Sequence, residues 1–193
     1  MLSYFLIMSK NLEIEAKVMI NEEGYNLLSK EFFSSKKYNQ INYYIFPKNK
    51  VEERKDFGLR IRYKNKKFEL TIKQDLKDKK LEINQKISRK SYIFLKFLHK
   101  FPNGEVKDFI IKNNVYNPDD LLIIGKMKTT RIDIDFEKAL ISIDKSKYLH
   151  KIDYEVECED STIESATNKL QNFLDCRKIK YEKSKLSKLA RFL

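Results

Sequence analysis

Residues 12–20 read LEIEAKVMI, the stretch of this chain with the clearest structural pattern. Apolar and charged side chains alternate along it, and a period of two is typical of a β-strand. The pattern predicts one apolar face and one charged face: Leu12, Ile14, Ala16 and Val18 on the first, Glu13, Glu15 and Lys17 on the second. We therefore predict a strand from Leu12 to Ile20.

The next hundred residues continue with short periodic segments. Asn21 is placed to cap a helix that runs to about Ser35, because an asparagine side chain accepts hydrogen bonds from free N–H groups of a first helical turn. The alternation predicts further strands at Gln40–Phe46, Leu59–Tyr63, Phe68–Lys73 and Leu81–Ile87, with a hairpin turn over Lys64–Lys67. A helix is predicted at Ser88–Leu98, and residues 106–118 give no clear pattern.

The second half of the chain repeats these patterns. Strands are predicted at Leu122–Phe136, Ala139–Ile143 and Ile152–Glu159, then a helix at Thr162–Ile179, and a basic tail at Lys183–Leu193 that is either strand or helix. Seven or eight alternating strands with a few helices predict an α+β protein built on an antiparallel sheet. Acidic side chains fall on the first and last clear strands and basic ones on the strands between them, which suggests a charged interior.

Composition narrows the class of protein. The chain has 193 residues and 41% hydrophobic content, which suits one domain, and its net charge of +12 favours an anionic partner. Two cysteines and two histidines do not match ordinary zinc-site spacing or a disulfide framework, so we expect a cytoplasmic protein. We expect no membrane span or signal peptide, and residues 1–10 are predicted to be a flexible extension.

The motif Glu13-Ile14-Glu15-Ala16-Lys17 carries the first chemical signal. Adjacent carboxylates on one strand face suit Mg²⁺ or Mn²⁺, which prefer oxygen ligands, and a lysine beside them can contact a phosphate bound to the metal. A solvent-exposed strand would often show the same pattern, so the motif gains weight only from the motifs that come after it in the chain. A P-loop nucleotide site is excluded, since Gly125-Lys126 lacks the preceding glycine and the following Ser or Thr.

Eight motifs in a fixed order give the chain a family resemblance. After ExExK come NYYIF, LRIR, ELTIKQ, LEINQ, TTR, ISIDKSKYLHKIDYEVECE and SKLARF. In this order they resemble the CYTH family of triphosphate tunnel metalloenzymes, from about Leu12 to Phe192. The resemblance implies a single CYTH domain over residues 1–193, folded as an eight-stranded antiparallel β-barrel that forms a triphosphate tunnel, with flanking helices.

The resemblance also implies roles for particular residues. Metal ligands are expected at Glu13, Glu15, Glu155, Glu157 and Glu159. Substrate-binding residues are expected at Lys17, Arg60, Arg62, Lys73, Glu82, Arg131, Lys188 and Arg191, and the catalytic set is expected to be Lys17, Arg60, Arg62, Lys73, Arg131 and Asp144. Lys183 and Lys185 leave the register of the last basic motif open, His150 is expected in a loop, and Cys158 is expected to be packed rather than reactive.

Three functions remain as alternatives. The resemblance favours Mg²⁺- or Mn²⁺-dependent hydrolysis of inorganic tripolyphosphate, thiamine triphosphate or a nucleoside triphosphate by a monomer or homodimer. The second is cyclisation of ATP to cyclic AMP and pyrophosphate, which the family also performs. The third is a non-catalytic binder of polyphosphate or RNA, supported by the lysine-rich segments and by aromatic side chains such as Tyr43 and Tyr44. The clustered acids make nucleic acid the least favoured partner, because they repel phosphate unless a metal lies between.

Overall fold

The computed structural model describes residues 9–48, 57–76, 79–184 and 186–193. Its strands are β1 (Ser9–Glu13), β2 (Glu15–Ile20), β3 (Lys36–Pro47), β4 (Phe57–Lys64), β5 (Lys67–Leu76), β6 (Lys79–Ile87), β7 (Leu121–Phe136), β8 (Ala139–Tyr148), β9 (Lys151–Glu159) and β10 (Tyr181–Lys183). Its helices are α1 (Glu22–Glu31), α2 (Arg89–Leu98), α3 (Glu105–Lys112), α4 (Ile163–Asp175) and α5 (Lys188–Phe192). None of the described helices is long and apolar enough to cross a membrane.

The strands follow one another in the order β1-β6-β5-β4-β3-β7-β8-β9-β2-β10. Pairing is antiparallel between β4 and β5, β5 and β6, β7 and β8, β8 and β9, β2 and β9, and β2 and β10. The predicted antiparallel sheet with flanking helices is therefore confirmed. The strand number differs from the predicted eight, since the described residues form ten, because the first predicted strand is split and the C-terminal tail adds β10.

The chain divides into two compact units. Of the described residues, those within 9–12 and 43–125 form the first unit, and those within 13–42 and 126–193 form the second. In the second unit, α1 and α4 bury their apolar faces on one face of β2, β7, β8 and β9, around Leu28, Phe173 and Val156. In the first unit, α2 and α3 cover the apolar face of β4, β5 and β6 through Leu95, Val106 and Ile110. In each unit the alternation leaves the opposite strand face to polar side chains.

Three hairpins turn on pairs of residues with positive φ. These pairs are Asn65 and Lys66, Glu137 and Lys138, and Leu149 and His150, with φ between 43° and 66°. Two-residue turns with positive φ match the right-handed twist of the strands they join. The predicted hairpin over residues 64–67 is confirmed, with Lys64 paired to Lys67. His150 lies in a loop, as predicted.

The N-terminal strand differs from its prediction. Ile14 interrupts the run, so β1 ends at Glu13 and β2 starts at Glu15. The Ile14 carbonyl accepts a hydrogen bond from the Asp160 amide, so it is satisfied outside the regular ladder. Strand β1 begins at Ser9, within the residues 1–10 predicted as a flexible extension, and residues 1–8 lie outside the described residues.

The helices largely follow their sequence signals. Asn21 caps α1 as predicted, since its side chain accepts from the Gly24 amide at 2.8 Å. Both α1 and α4 end four residues before their predicted ends. The unpatterned region contains α3, and the tail contains both a short strand and a short helix.

Candidate active site

Strand register brings the polar side chains of the second unit onto one face. Asp144 on β8 is paired in register with Arg131 on β7 and with Glu155 on β9. Glu157 on β9 is paired in register with Ser142 on β8 and with Lys17 on β2. Directly paired residues in an antiparallel ladder point to the same side of the sheet. The face opposite the apolar core therefore carries a row of charges across four neighbouring strands.

Three carboxylates of this row form a compact group, which we name the acidic cluster: Asp144, Glu155 and Glu157. One oxygen from each residue lies within 4.8 Å of the other two. Asp144 is 0% exposed and Glu155 is 1% exposed, so neither can be screened by bulk water. Buried charges of one sign at this spacing require cations beside them.

Lys188 supplies one such cation from α5. Its Nζ lies 2.9 Å from Asp144 Oδ2 and 2.6 Å from Glu157 Oε1, and it also contacts Glu155 Oε1. Ser187 caps the helix by accepting a hydrogen bond from the Ala190 amide at 3.1 Å, which fixes where Lys188 begins the first turn. The ammonium group therefore contacts all three members of the acidic cluster.

Two arginines flank the lysine. Arg131 donates from Nε and Nη2 to the two oxygens of Asp144 at 2.7 and 2.6 Å, and Nη2 also contacts Glu157 at 2.5 Å. Arg191 contacts Glu155 through Nη1 at 2.6 Å and Asp153 through Nε at 2.9 Å. The fork of a guanidinium suits two-point binding of a carboxylate or a phosphate, so both side chains are chemically equipped for either partner.

The pKa values of the two glutamates of the acidic cluster are shifted in opposite directions. Burial alone would raise the pKa of Glu157, but Lys188 and Arg131 hold it well below its usual range. Burial raises the pKa of Glu155, and the neighbouring Glu157 adds to that rise against the opposing effect of Lys188. Like charges at close range cannot all ionise equally easily, so Glu157 carries the firmer charge of the pair.

Of the other predicted metal ligands, Glu15 and Glu159 lie on β2 and β9, whereas Glu13 lies on β1, which neighbours β6. Glu15 pairs in register with Glu159, and Glu15 Oε1 lies 3.8 Å from Lys17 Nζ. Glu159 is exposed at the end of β9, and Glu13 ends β1. The compact carboxylate group found among the described residues does not include Glu13, Glu15 or Glu159, and it includes Asp144, which the resemblance placed in the catalytic set.

The first unit carries a second charged group, which we name the basic cluster: Arg60 and Lys73 around Glu82. Glu82 is 2% exposed, and its Oε1 lies 2.8 Å from Lys73 Nζ and 3.3 Å from Arg60 Nη2. Burial would raise the pKa of Glu82, but Arg60, Lys73 and Arg62 hold it below its usual range. Glu82 is therefore an ionised internal counterion that fixes the direction of two basic side chains.

Several polar partners were not singled out from the sequence. Tyr38 donates to Asp133 Oδ2 at 2.9 Å, and Ser142 donates to Asp133 Oδ1 at 3.0 Å. Burial and Asp133, opposed by Arg131, raise the pKa of Tyr38 to about 12. Asp133 was detectable in principle, because it follows Arg131 by two residues on the same strand face. No local signal marks Tyr38, which lies on a strand far from Asp133 in the sequence.

The remaining candidates lie away from these groups or outside the described residues. Cys158 is fully buried on the apolar face, and burial raises the pKa of its thiol to about 11, as a packed cysteine requires. Lys183 is the last residue of β10, and Lys185 lies outside the described residues. Lys188 and Arg191, rather than Lys183, are the basic tail residues that contact the acidic cluster.

The acidic cluster fits a divalent metal by its donor chemistry. Mg²⁺ and Mn²⁺ prefer hard oxygen ligands, and each of the three carboxylates brings one oxygen within 4.8 Å of the other two. The cluster is polar and buried, which excludes competing bulk water. Its three oxygens from three strand residues are thus compatible with one bound divalent ion.

Comparisons with known proteins identify the family of the chain. The model of the CYTH domain matches residues 11–193, through both units. A Bacillus subtilis (strain 168) protein named "Putative triphosphatase YjbK" is 34% identical over 154 residues, which cover 79% of each chain.

Solved structures show the same fold. A Bacillus halodurans protein described as "a putative adenylate cyclase" is 30% identical, with a TM-score of 0.86 over 96% of this chain and 100% of the other. HpAC1 from Hippeastrum, described as a "putative adenylyl cyclase" with a dominant triphosphatase activity, is 22% identical, with a TM-score of 0.78 over 93% of this chain and 94% of the other. The fold is the triphosphate tunnel fold predicted from the motifs, and the chain belongs to the CYTH family.

Proposed function

We propose that this chain is a metal-dependent triphosphatase that hydrolyses a small-molecule triphosphate with Mg²⁺ or Mn²⁺. The observation that carries the proposal is the acidic cluster with Arg131, Lys188 and Arg191 around it. Carboxylates alone repel phosphate and basic residues alone need no metal, whereas the two together suit a metal-bound polyphosphate. The relationship to YjbK, named as a triphosphatase, points in the same direction.

Asp144, Glu155 and Glu157 would hold the metal ion, with Glu13, Glu15 and Glu159 as further candidates from the motif positions. A divalent ion bound there would supply Lewis-acid charge to phosphoryl oxygens. Glu157 is the member best suited to hold that charge, since it is firmly ionised and its side chain is 13% exposed. Glu155 resists ionisation because of its burial, so its contribution depends on the cations beside it.

Arg131, Lys188, Arg191 and Lys17 would bind the phosphate oxygens. The carboxylates orient Arg131 and Arg191 before any substrate arrives, so these groups need little rearrangement to stabilise the charge that develops on a transferring phosphoryl group. We assign Arg60, Arg62 and Lys73 to phosphate binding from their motif positions. Glu82 is expected from its motif position to bind substrate. In this proposal, its role is to hold Arg60 and Lys73 in place.

The attacking water requires a base. Both oxygens of Asp144 are engaged by Arg131 and Lys188, and the side chain has no exposed surface. Glu157 is also ion-paired through both oxygens, to Lys188 and Arg131, but its side chain retains 13% exposure, so it is the better placed of the two to orient a water. Its lowered pKa makes it a weak base, so its role would be to orient the water more than to deprotonate it. Asp144 would then act chiefly by fixing the guanidinium of Arg131.

ATP cyclisation is the second candidate. It is favoured by one observation, the 30% identity to the B. halodurans protein described as a putative adenylate cyclase. The same phosphate-binding residues would serve either reaction, and the two differ in which phosphorus is presented to the nucleophile. The products distinguish them, because hydrolysis releases orthophosphate whereas cyclisation releases pyrophosphate and cyclic AMP.

A substrate panel tests the proposal. Purified protein is incubated with tripolyphosphate, thiamine triphosphate, ATP or pyrophosphate in Mg²⁺ or Mn²⁺, and orthophosphate and cyclic AMP are both measured. We expect metal-dependent orthophosphate release from at least one triphosphate, abolished by excess EDTA. Cyclic AMP without orthophosphate would favour the cyclase, and polyphosphate or RNA binding without turnover would favour a binding protein.

A matched pair of variants connects this activity to the acidic cluster. Glu157→Gln should lower the turnover number by about 100-fold or more, because it removes a ligand charge while keeping the side-chain shape. Glu182→Gln changes an exposed carboxylate on β10 and should leave turnover within about twofold of the parent. Equal turnover in the two variants would contradict the site assignment.

A further inference from the structure

The ammonium of Lys188 lies where a metal ion would have to lie. It is the described cation that contacts all three carboxylates, whereas Arg131 contacts Asp144 and Glu157, and Arg191 contacts only Glu155 of the three. The lysine side chain is 14% exposed, so the carboxylates and neighbouring groups enclose its charge. One positive charge at this point is shared among three carboxylates, and Arg131 and Arg191 supply further positive charge.

The same three oxygens cannot bind a divalent ion while the ammonium of Lys188 keeps its present position. Metal–oxygen distances for Mg²⁺ are about 2.1 Å, so an ion held by the three oxygens would occupy the space now filled by Nζ. Two cations at that separation would also repel each other strongly in a buried setting. Metal binding by the acidic cluster therefore requires Lys188 to move.

We propose that Lys188 is a built-in counterion that occupies the metal position until a divalent ion displaces it. This inference rests on the proposed function for its metal and goes beyond it in assigning Lys188 a competing role. In the metal-free protein, the lysine offsets part of the negative charge of a cluster whose burial would otherwise be costly. When metal binds, the freed ammonium becomes available to contact an anionic substrate, so metal arrival and lysine release are one exchange.

The attachment of α5 supports an exchange of this kind. The helix has five residues, and it is held by Lys188, by the contacts of Arg191 with Glu155 and Asp153, and by Phe192, which packs against Tyr148 with ring centroids 6.2 Å apart. Of these three α5 residues, Lys188 is the one that contacts every member of the acidic cluster. Loss of those contacts should loosen α5 more than it disturbs the strands below.

Metal binding without substrate tests the proposal. Mn²⁺ affinity is measured by calorimetry at mildly alkaline pH for the parent, Lys188→Met and Lys188→Arg. Removing the competing charge should tighten Mn²⁺ binding by about 5- to 150-fold in Lys188→Met, the usual size of a coupling between two binding events. Lys188→Arg keeps the positive charge and should bind Mn²⁺ no more tightly than the parent.

Lys169→Met is the matched control. Lys169 is also a partly buried lysine of the second unit, but it pairs with Asp160 at 2.8 Å and with the Glu137 carbonyl. Its loss should leave Mn²⁺ affinity unchanged. Equal affinity in Lys188→Met and Lys169→Met, or weaker binding in Lys188→Met, would overturn the proposal.

Hydrogen exchange of the unmutated protein gives a second readout that does not depend on a variant folding. Saturating Mn²⁺ should speed amide exchange in residues 186–193 and slow it, or leave it unchanged, in β8 and β9. Unchanged or slower exchange in residues 186–193 would overturn the proposal. Neither measurement uses turnover, so an inactive protein with the predicted exchange would contradict only the triphosphatase assignment, and an active one without it would contradict only the role of Lys188.

Discussion

At the scale of single residues, Glu82 shows how this fold tolerates a buried charge. The carboxylate has almost no exposed surface, yet its pKa lies below the usual range because Arg60 and Lys73 outweigh the cost of burial. Its two partners are themselves only 19% and 23% exposed. A neutral side chain at this position would leave two cations facing an uncharged group.

Glu82→Gln should therefore destabilise the protein in a pH-dependent way. Near neutral pH we expect a loss of about 1–3 kcal/mol, because a buried ion pair is broken from one side. A carboxylate with a lowered folded-state pKa stabilises above its unfolded pKa of about 4.3, and that contribution is lost as the pH falls towards the folded-state pKa. The gap between parent and variant should therefore narrow steadily below about pH 5.

Urea denaturation followed by circular dichroism at neutral and acidic pH measures this gap. Glu182→Gln provides the control, since its exposed carboxylate should change stability by less than about 0.5 kcal/mol. A gap between parent and Glu82→Gln that stays constant with pH would show that the carboxylate is not the stabilising partner of Arg60 and Lys73.

At the scale of elements, local sequence predicted the strands better than it predicted the region between α2 and β7. The alternation of Leu59–Tyr63, Phe68–Lys73 and Leu81–Ile87 indicated both faces correctly, because burial on one side imposes a period of two. Helix α3 gave no clear signal, since it has only eight residues and its N-cap, Gly104, has no side chain to accept a hydrogen bond. Its start is fixed instead by Gln85, from a strand 21 residues earlier.

The candidate site shows the same division. Five of the residues expected in the site from the motif order lie together in the structure: Asp144, Glu155, Glu157, Lys188 and Arg191. The contacts of Lys188 with Glu155 and Glu157 join residues 33 and 31 positions apart, on either side of helix α4, so only the tertiary fold reveals them. Ile14 was likewise assigned to a continuous strand, because alternation alone does not reveal a break in the ladder.

Gln85→Leu tests how far one long-range side chain determines an element. Gln85 donates to the Asn103 carbonyl at 2.7 Å and accepts from the Val106 amide at 3.1 Å. The variant leaves both backbone groups without that partner, and we expect a loss of about 2–4 kcal/mol in the free energy of unfolding. Faster amide exchange at Val106 should accompany it.

Gln171→Leu, on the partly exposed surface of α4, is the comparison variant and should cost less than about 1 kcal/mol. If Val106 keeps its parental exchange rate in Gln85→Leu, then the start of α3 has another support and does not depend on Gln85.

At the scale of the whole molecule, the net charge of +12 should act on the approach of substrate. Charges spread over the surface attract a polyanion over distances that salt shortens, with a screening length of about 10 Å at 0.1 M ionic strength. The acidic cluster and its cations are buried and ion-paired, so salt should affect them much less. Binding and turnover should therefore respond differently to ionic strength.

Raising NaCl from about 50 mM to about 500 mM should increase KM for tripolyphosphate several-fold while kcat changes by less than about twofold. Steady-state rates at saturating Mg²⁺ or Mn²⁺ give both constants, and choline chloride in place of NaCl controls for a specific sodium effect. A KM that is insensitive to salt would indicate that the positive surface plays no part in capturing the substrate.

The hairpin turns have a practical consequence for engineering. Leu149 and His150, like the other two pairs, adopt positive φ without a glycine, a conformation that costs most side chains free energy. Asparagine followed by glycine adopts this turn with less strain, and these positions are not among the residues of the acidic cluster. Replacing these pairs with Asn-Gly should therefore raise the melting temperature of the protein without changing the residues of the acidic cluster.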